Sequence, residues 1–249
     1  MSTLFGINFY SGSKKSFVEL LNQHLSKEER KFVVTANPEI LIHSLGDASY
    51  KTAITKANYV VADGIGVVKA MDLLKESVNE RVTGIDVMQD LLESANHKKL
   101  SVYFLGASER SINKMVDRIY ERYADLQVAG FHHGFFTDSE KIIEEIQIQK
   151  PDLIFVALGA PKQEAWIANN MSKFDKGIFI GVGGSFDVLS GVQRRSPRVL
   201  QNMHLEWLYR ISTRPHKLKK IQVLTLFSIL TIKEYIHMIL LKDTRVEDN

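Results

Sequence analysis

The stretch PDLIFVALGAPKQEAW, residues 151–166, holds a strand, a turn and a helix start in sixteen positions. Leu153–Ala157 is a continuous apolar run, too short for a buried helix and suited to a strand covered on both faces. Leu158, Gly159, Ala160 and Pro161 follow it. Glycine lets backbone bend or approach a ligand closely, and proline suits the first turn of a helix. Pro161–Asn170 then continues at helical spacing. The same unit recurs along the chain. Strand candidates are Phe32–Ala36, Tyr59–Ala62, Val102–Leu105, Leu126–Ala129 and Ile178–Val182. Helical patterns fill Pro38–Leu45, Gly66–Leu74, Asp86–Ala95, Glu109–Tyr123 and Ser139–Gln149. Apolar strands alternating with helices predict an α/β, Rossmann-like fold, in which a mostly parallel sheet is flanked by helices.

Such sheets bind ligands beyond the carboxyl ends of their strands. Those ends are rich here in small and polar residues: Thr35 to Pro38, Ala62 to Gly64, Leu105 to Ala107, Leu158 to Pro161 and Val182 to Ser185. Loop punctuation accounts for any one of them. Five on one edge point to a phosphate-bearing ligand, because helix N-termini and bare backbone N–H groups favour phosphate. Neither a G-x-G-x-x-G fingerprint with a following acid nor a G-x-x-x-x-G-K-[ST] loop is present, which favours a sugar nucleotide over NAD or ATP.

Bulk properties narrow the class further. The 249 residues contain no cysteine, so no disulfide framework, thiolate zinc site or thiol nucleophile exists. The first residues do not read as a secretory signal, and no run of about 18 uninterrupted apolar residues occurs, so the expected location is cytoplasmic. Between Arg194 and Lys220 stand eight Lys/Arg and one acid, a local charge of +7, leaving −4 to the remainder of a chain whose total is +3. The reading is a catalytic core over 1–193 and a basic appendage over 194–249. Within the appendage, Ile221–Leu241 is apolar but broken by Gln222, Lys233, Glu234 and His237, which share roughly 120° of a helical wheel. That pattern suits an amphipathic helix on a membrane surface, with the basic run attracted to anionic headgroups. A helix packed on the core, or between copies of the chain, is the alternative. No nucleic-acid motif accompanies the basic segment.

In order along the chain stand TANPE (35–39), ADGIG (62–66), ERVTG (80–84), FLGA (104–107), LGAPKQEAW (158–166), GVGGSFD (181–187), Ser190-Gly191, Arg195–Pro197 and EWLYR (206–210). This series resembles the WecG/TagA/CpsF glycosyltransferase family over residues 30 to 220. The resemblance implies inverting transfer from a UDP-sugar to undecaprenyl-diphosphate-linked N-acetylglucosamine on the inner face of the cell membrane. The donor it implies is UDP-N-acetylmannosamine, for a teichoic acid linkage unit; N-acetylmannosaminuronic acid or another hexose, for other surface polysaccharides, is the alternative. A non-catalytic sugar-nucleotide sensor on the same scaffold is a third reading.

One-step inverting transfer needs a base, a stabiliser for the leaving diphosphate and aligned sugars. Asp63, between an apolar strand and Gly64, is the candidate base; an Asx-turn or N-cap is its structural alternative. Arg81 offers a planar fork to phosphate oxygens, or else pairs with an acid. Thr35 and Asn37 can reach sugar hydroxyls, although Asn37 also suits the cap of the following helix. Gln163 can reach donor or acceptor, or lie exposed in a first helical turn that Lys162 and Glu164 merely solvate. Gly106, Gly183 and Gly184 offer backbone to a ligand, and Asp187 can accept from ribose hydroxyls. Arg210 and Arg214 are the candidates for the diphosphate or the lipid headgroup. The chain has no Asp-x-Asp pair, so a site that works without a metal is expected.

Overall fold

The computed structural model describes residues 2–76, 78–203, 205–212 and 219–246. A short antiparallel hairpin opens the chain, β1 (Ser2–Leu4) with β2 (Ile7–Phe9). Its two-residue turn places Phe5 at φ 52° and Gly6 at φ 76°, the positive pair that matches strand twist. Helix α1 (Lys14–Ser26) begins at Ser13, whose hydroxyl accepts from the Ser16 N–H. Then follow β3 (Arg30–Ala36), α2 (Pro38–Gly46), α3 (Ala48–Thr55), β4 (Tyr59–Ala62), α4 (Ile65–Leu73), α5 (Gly84–Lys98), β5 (Ser101–Gly106), α6 (Glu109–Arg122), β6 (Gln127–His132), α7 (Glu140–Gln149), β7 (Leu153–Ala157), α8 (Lys162–Asn170), β8 (Gly177–Gly181), α9 (Ser185–Leu189), α10 (Arg198–Asn202), α11 (Glu206–Ser212) and α12 (Lys219–Val246).

Strands β3 to β8 form one parallel sheet in the order β4-β3-β8-β7-β5-β6. Side chains alternate across it. Phe32, Val34, Ala36, Tyr103, Leu105, Ile154, Val156 and Phe179 face a core shared with α2, α3, α4, α7 and α8. Val33, Val61, Val102, Phe104, Leu153, Phe155, Ile178 and Ile180 face another shared with α1, α5, α6 and α9. Both faces are covered, which is why these strands read as unbroken apolar runs. Each strand and helix expected from the sequence is present, with ends shifted by a few residues. The hairpin, α1, α3 and the short helices α9, α10 and α11 go beyond the expectation. Three-residue strands and an eight-residue helix are too short to display a period.

The C-terminal segment returns to the core. Helix α12 packs on α2 and α4. Phe227, 4% exposed, meets Phe5 edge-on with ring centroids 5.9 Å apart, and Thr231 is equally buried. The opposite side of α12 is different. Ile221, Ile229, Ile232, Ile236, Ile239 and Leu240 are all exposed, and they recur at helical spacing as one stripe. Gln222, Lys233 and His237 flank that stripe, while Glu234 turns partly toward the body. The helix over Ile221–Leu240 is long and apolar enough to cross a membrane, by length and composition. Lys233 and Glu234 near its middle, which in the sequence read as making it a poor span, leave its mean hydropathy at 1.6.

Candidate active site

A cleft of about 410 Å³ lies beyond the carboxyl ends of β3, β4 and β8. Thr35, Asn37, Asp63, Arg81, Gln163, Gly183 and Gly184 line it together with Glu39, Thr83, Ser185 and Gln193. Glu206 and Trp207 of α11 and Val223 and Leu224 of α12 form a further wall.

Asp63 is placed by the sheet. Its N–H donates to the Ala36 carbonyl at 2.9 Å, continuing the β3–β4 ladder by one residue. Its own carbonyl accepts from Arg81 Nε at 2.7 Å. Arg81 also donates through Nη2 to Glu206 Oε2 at 2.8 Å, and both side chains are largely buried. This ion pair joins the ERVTG loop of the core to the EWLYR segment of the appendage. A second pair, Arg195 Nη2 to Asp86 Oδ1 at 2.7 Å, ties the start of the appendage to α5. The Arg81–Glu206 pair is costly to break from one side only, because the remaining charge stays largely buried.

Gln163 is not an exposed first-turn residue. It is 2% exposed, and its Oε1 accepts from the Gly183 N–H at 3.1 Å. Its Nε2 donates to Glu164 Oε1 at 2.6 Å. Glu164 does not solvate the turn either: it is fully buried and also accepts from the Tyr50 hydroxyl at 2.7 Å through Oε2. Burial pushes its carboxyl above the usual range, against the hydrogen bonds from Tyr50 and Gln163. Burial likewise raises the Tyr50 hydroxyl, with the Glu164 charge adding to the effect.

A known family now accounts for this arrangement. The model of the glycosyl transferase WecG/TagA/CpsF family matches residues 2–238. The chain belongs to that family. It is 33% identical over 235 residues to the N-acetylglucosaminyldiphosphoundecaprenol N-acetyl-beta-D-mannosaminyltransferase of Bacillus spizizenii, covering 94% of this chain and 88% of the relative. It is 34% identical over 233 residues to the protein of the same name in Bacillus subtilis, covering 93% and 91%. The Staphylococcus aureus (strain NCTC 8325) protein of that name is 34% identical over 210 residues, covering 83% and 82%.

In this transferase fold the other expected residues have definite places. Thr35 Oγ1 donates to the Gly181 carbonyl at 2.7 Å, a buried bond that ties β3 to the end of β8. Asn37 caps α2, its Oδ1 accepting from the Glu39 and Ile40 N–H groups, so the amide nitrogen is the end left to a ligand. Gly183 has φ +52°, and Gly183 and Gly184 both border open space in the cleft. Gly106 and Asp187 are not brought to the cleft lining. Gly106 has φ +132°, and a Cβ there would stand 2.4 Å from the Ala157 carbonyl carbon, so close packing of β5 on β7 explains it. Asp187 lies in α9, its carbonyl accepting from the Gln193 N–H. Arg210 falls in α11, and Arg214 lies outside the described residues. Among the described residues no group of three or more His, Asp and Glu side chains is arranged to hold a metal ion. Sequence reasoning missed Glu206 and Trp207 as cleft residues, although EWLYR had been singled out as a motif, and it missed Val223 and Leu224, which carry no polar signal.

Proposed function

We propose that the chain transfers N-acetylmannosamine from UDP-N-acetylmannosamine to N-acetylglucosaminyl-diphospho-undecaprenol. The donor and acceptor come from the names of the relatives, which align over nearly the whole chain. The supporting structural observation is the cleft itself, where a strand-end aspartate, an arginine and a glycine turn converge. In this reading Asp63 takes the proton from an acceptor hydroxyl. That oxygen attacks the anomeric carbon from the face opposite the diphosphate, and the bond to UDP breaks, inverting the centre. Arg81 and the Gly184 backbone N–H stabilise the leaving diphosphate, the Gly183 N–H being held by Gln163. Arg81 already shares its charge with Glu206, so the proposal assigns Arg210 and Arg214 as additional positive groups. The absence of an Asp-x-Asp pair supports a reaction without a divalent ion.

The acceptor lipid never leaves the bilayer, and the exposed apolar stripe of α12 suits a helix lying at the cytoplasmic face of the membrane. Val223 and Leu224, on the same helix, line the cleft, which would set the active site at the lipid surface. The test is a transfer assay with purified protein, UDP-N-acetylmannosamine and a short-chain analogue of the lipid acceptor, run with and without EDTA. Inverted disaccharide product that persists in EDTA is expected. Product lost in EDTA would remove the metal-free mechanism. Product only with another UDP-hexose would change the donor. No product and no UDP-sugar hydrolysis with any donor would leave a sensor.

A further inference from the structure

Beneath the cleft floor lies a chain of buried polar groups that no step of the proposed reaction uses. Tyr50 of α3 donates to Glu164, Glu164 accepts from Gln163, and Gln163 accepts from the Gly183 N–H. Tyr50, Gln163 and Glu164 are 3%, 2% and 0% exposed. We propose that Glu164 is a positioning residue of the donor subsite: its carboxylate dictates which way the Gln163 amide faces and thereby holds the Gly183–Gly184 turn against the cleft. This rests on the reading of the cleft as a UDP-sugar site.

The two ends of the Gln163 amide are nearly the same shape, so packing alone does not choose between them. Chemistry does. Both Glu164 oxygens accept, one from the Tyr50 hydroxyl and one from the Gln163 amide, and a backbone N–H only donates. With Nε2 toward Glu164 and Oε1 toward Gly183, both contacts are hydrogen bonds. Turned by 180°, the amide would set oxygen against oxygen and N–H against N–H, two repulsive contacts where water cannot relieve them. A Cβ on Gly181 would stand 2.8 Å from Gln163 Nε2 and 3.4 Å from Glu164 Oε1. The strand end therefore leaves room for this pair.

A buried carboxylate is a poor way to add stability, since an apolar side chain of similar volume often serves the fold as well or better. What an apolar residue cannot do is orient Gln163. The turn that Gln163 holds is bare. Neither Gly183 nor Gly184 would bring an added Cβ within 4 Å of another atom. Gly183 needs its glycine for its positive φ, but Gly184 sits at φ −78°, open to any residue. Neither packing nor conformation accounts for glycine at position 184, whereas a ligand lying against the backbone does.

The test compares Glu164→Met, Glu164→Gln and Tyr50→Phe with the parent in the full chain. It reads KM for donor and acceptor separately, together with native-state amide exchange at Gly183 without substrate. Glu164→Met is expected to raise donor KM about tenfold, leave acceptor KM unchanged and speed Gly183 exchange about tenfold, with β5 and β7 unaffected. Glu164→Gln still offers an amide oxygen to Gln163 and is expected to stay within about threefold of the parent. A folded Glu164→Met protein with parental donor KM and parental Gly183 exchange overturns the proposal. If that variant does not fold, Tyr50→Phe serves: about a threefold change in both readouts is expected, and no change in either overturns the proposal. Exchange is read without substrate, so a parent that transfers no sugar would sink the functional reading while the exchange experiment still judges the relay.

Discussion

The floor of the cleft and its C-terminal wall are built on opposite terms. The floor grows out of the sheet. Thr35, Asp63, Gln163 and Gly183 are each tied by hydrogen bonds to a strand end or to one another, and the apolar residues behind them are fully buried. The wall is attached by the Arg81–Glu206 pair, the Asp86–Arg195 pair and one side of α12, which packs on α2 and α4 around Phe227. Around those points it exposes apolar side chains, among them Trp207 at 43%, Ile229 at 57% and Leu240 at 58%. A region with few buried contacts opens at lower free energy than the sheet beneath it. The floor is thus formed by folding itself, while the wall is completed by whatever covers its apolar side, which the proposed function identifies as lipid.

The largest effect should come from the floor. Asp63→Asn is expected to lower kcat by roughly a thousandfold with an unchanged melting transition, because it removes a proton acceptor and little packing. Turnover near that of the parent would take the base role from Asp63. The next break falls between the two regions. Truncation after Gln193 should leave a folded core that keeps donor affinity within a few fold, yet transfers about a hundredfold more slowly for want of the wall. A fully active truncated chain would reduce the wall to packing. The smallest change sharpens the comparison. Ile229→Glu with Ile236→Glu touches only the exposed stripe. It should weaken sedimentation with anionic vesicles by about tenfold and leave the melting transition in place. Unchanged vesicle binding would assign that stripe to another occupant, such as a second copy of the chain.

How far the sequence could be read follows the same division. Tyr59–Ala62 and Leu153–Ala157 were delimited to the residue, because a strand covered on both faces must be apolar throughout. A cleft lies at strand ends singled out in the sequence, where helix starts and glycine turns leave local signatures. Individual roles were harder. Glu164 looked like a solvated first-turn residue because its neighbours in sequence, Lys162 and Gln163, are polar. Its burial comes from Tyr50, 114 positions away, which no local pattern reveals. Gly106 looked like a ligand-facing glycine and proves to be one demanded by the approach of Ala157.

By itself the sequence determined the alternation of strands and helices, the edge of the sheet where the cleft opens, the charge division along the chain and, through its ordered motifs, the family. These depend on composition and short-range periodicity, which the chain carries wherever it folds. Only the tertiary structure decided which polar residues serve the fold and which face the cleft, and that α11 and α12 close over strands from the other end of the chain. It also decided which stripe of α12 is spent on Phe5 and which is left outside. Those outcomes depend on contacts between residues far apart in sequence, where burial and partner are set together.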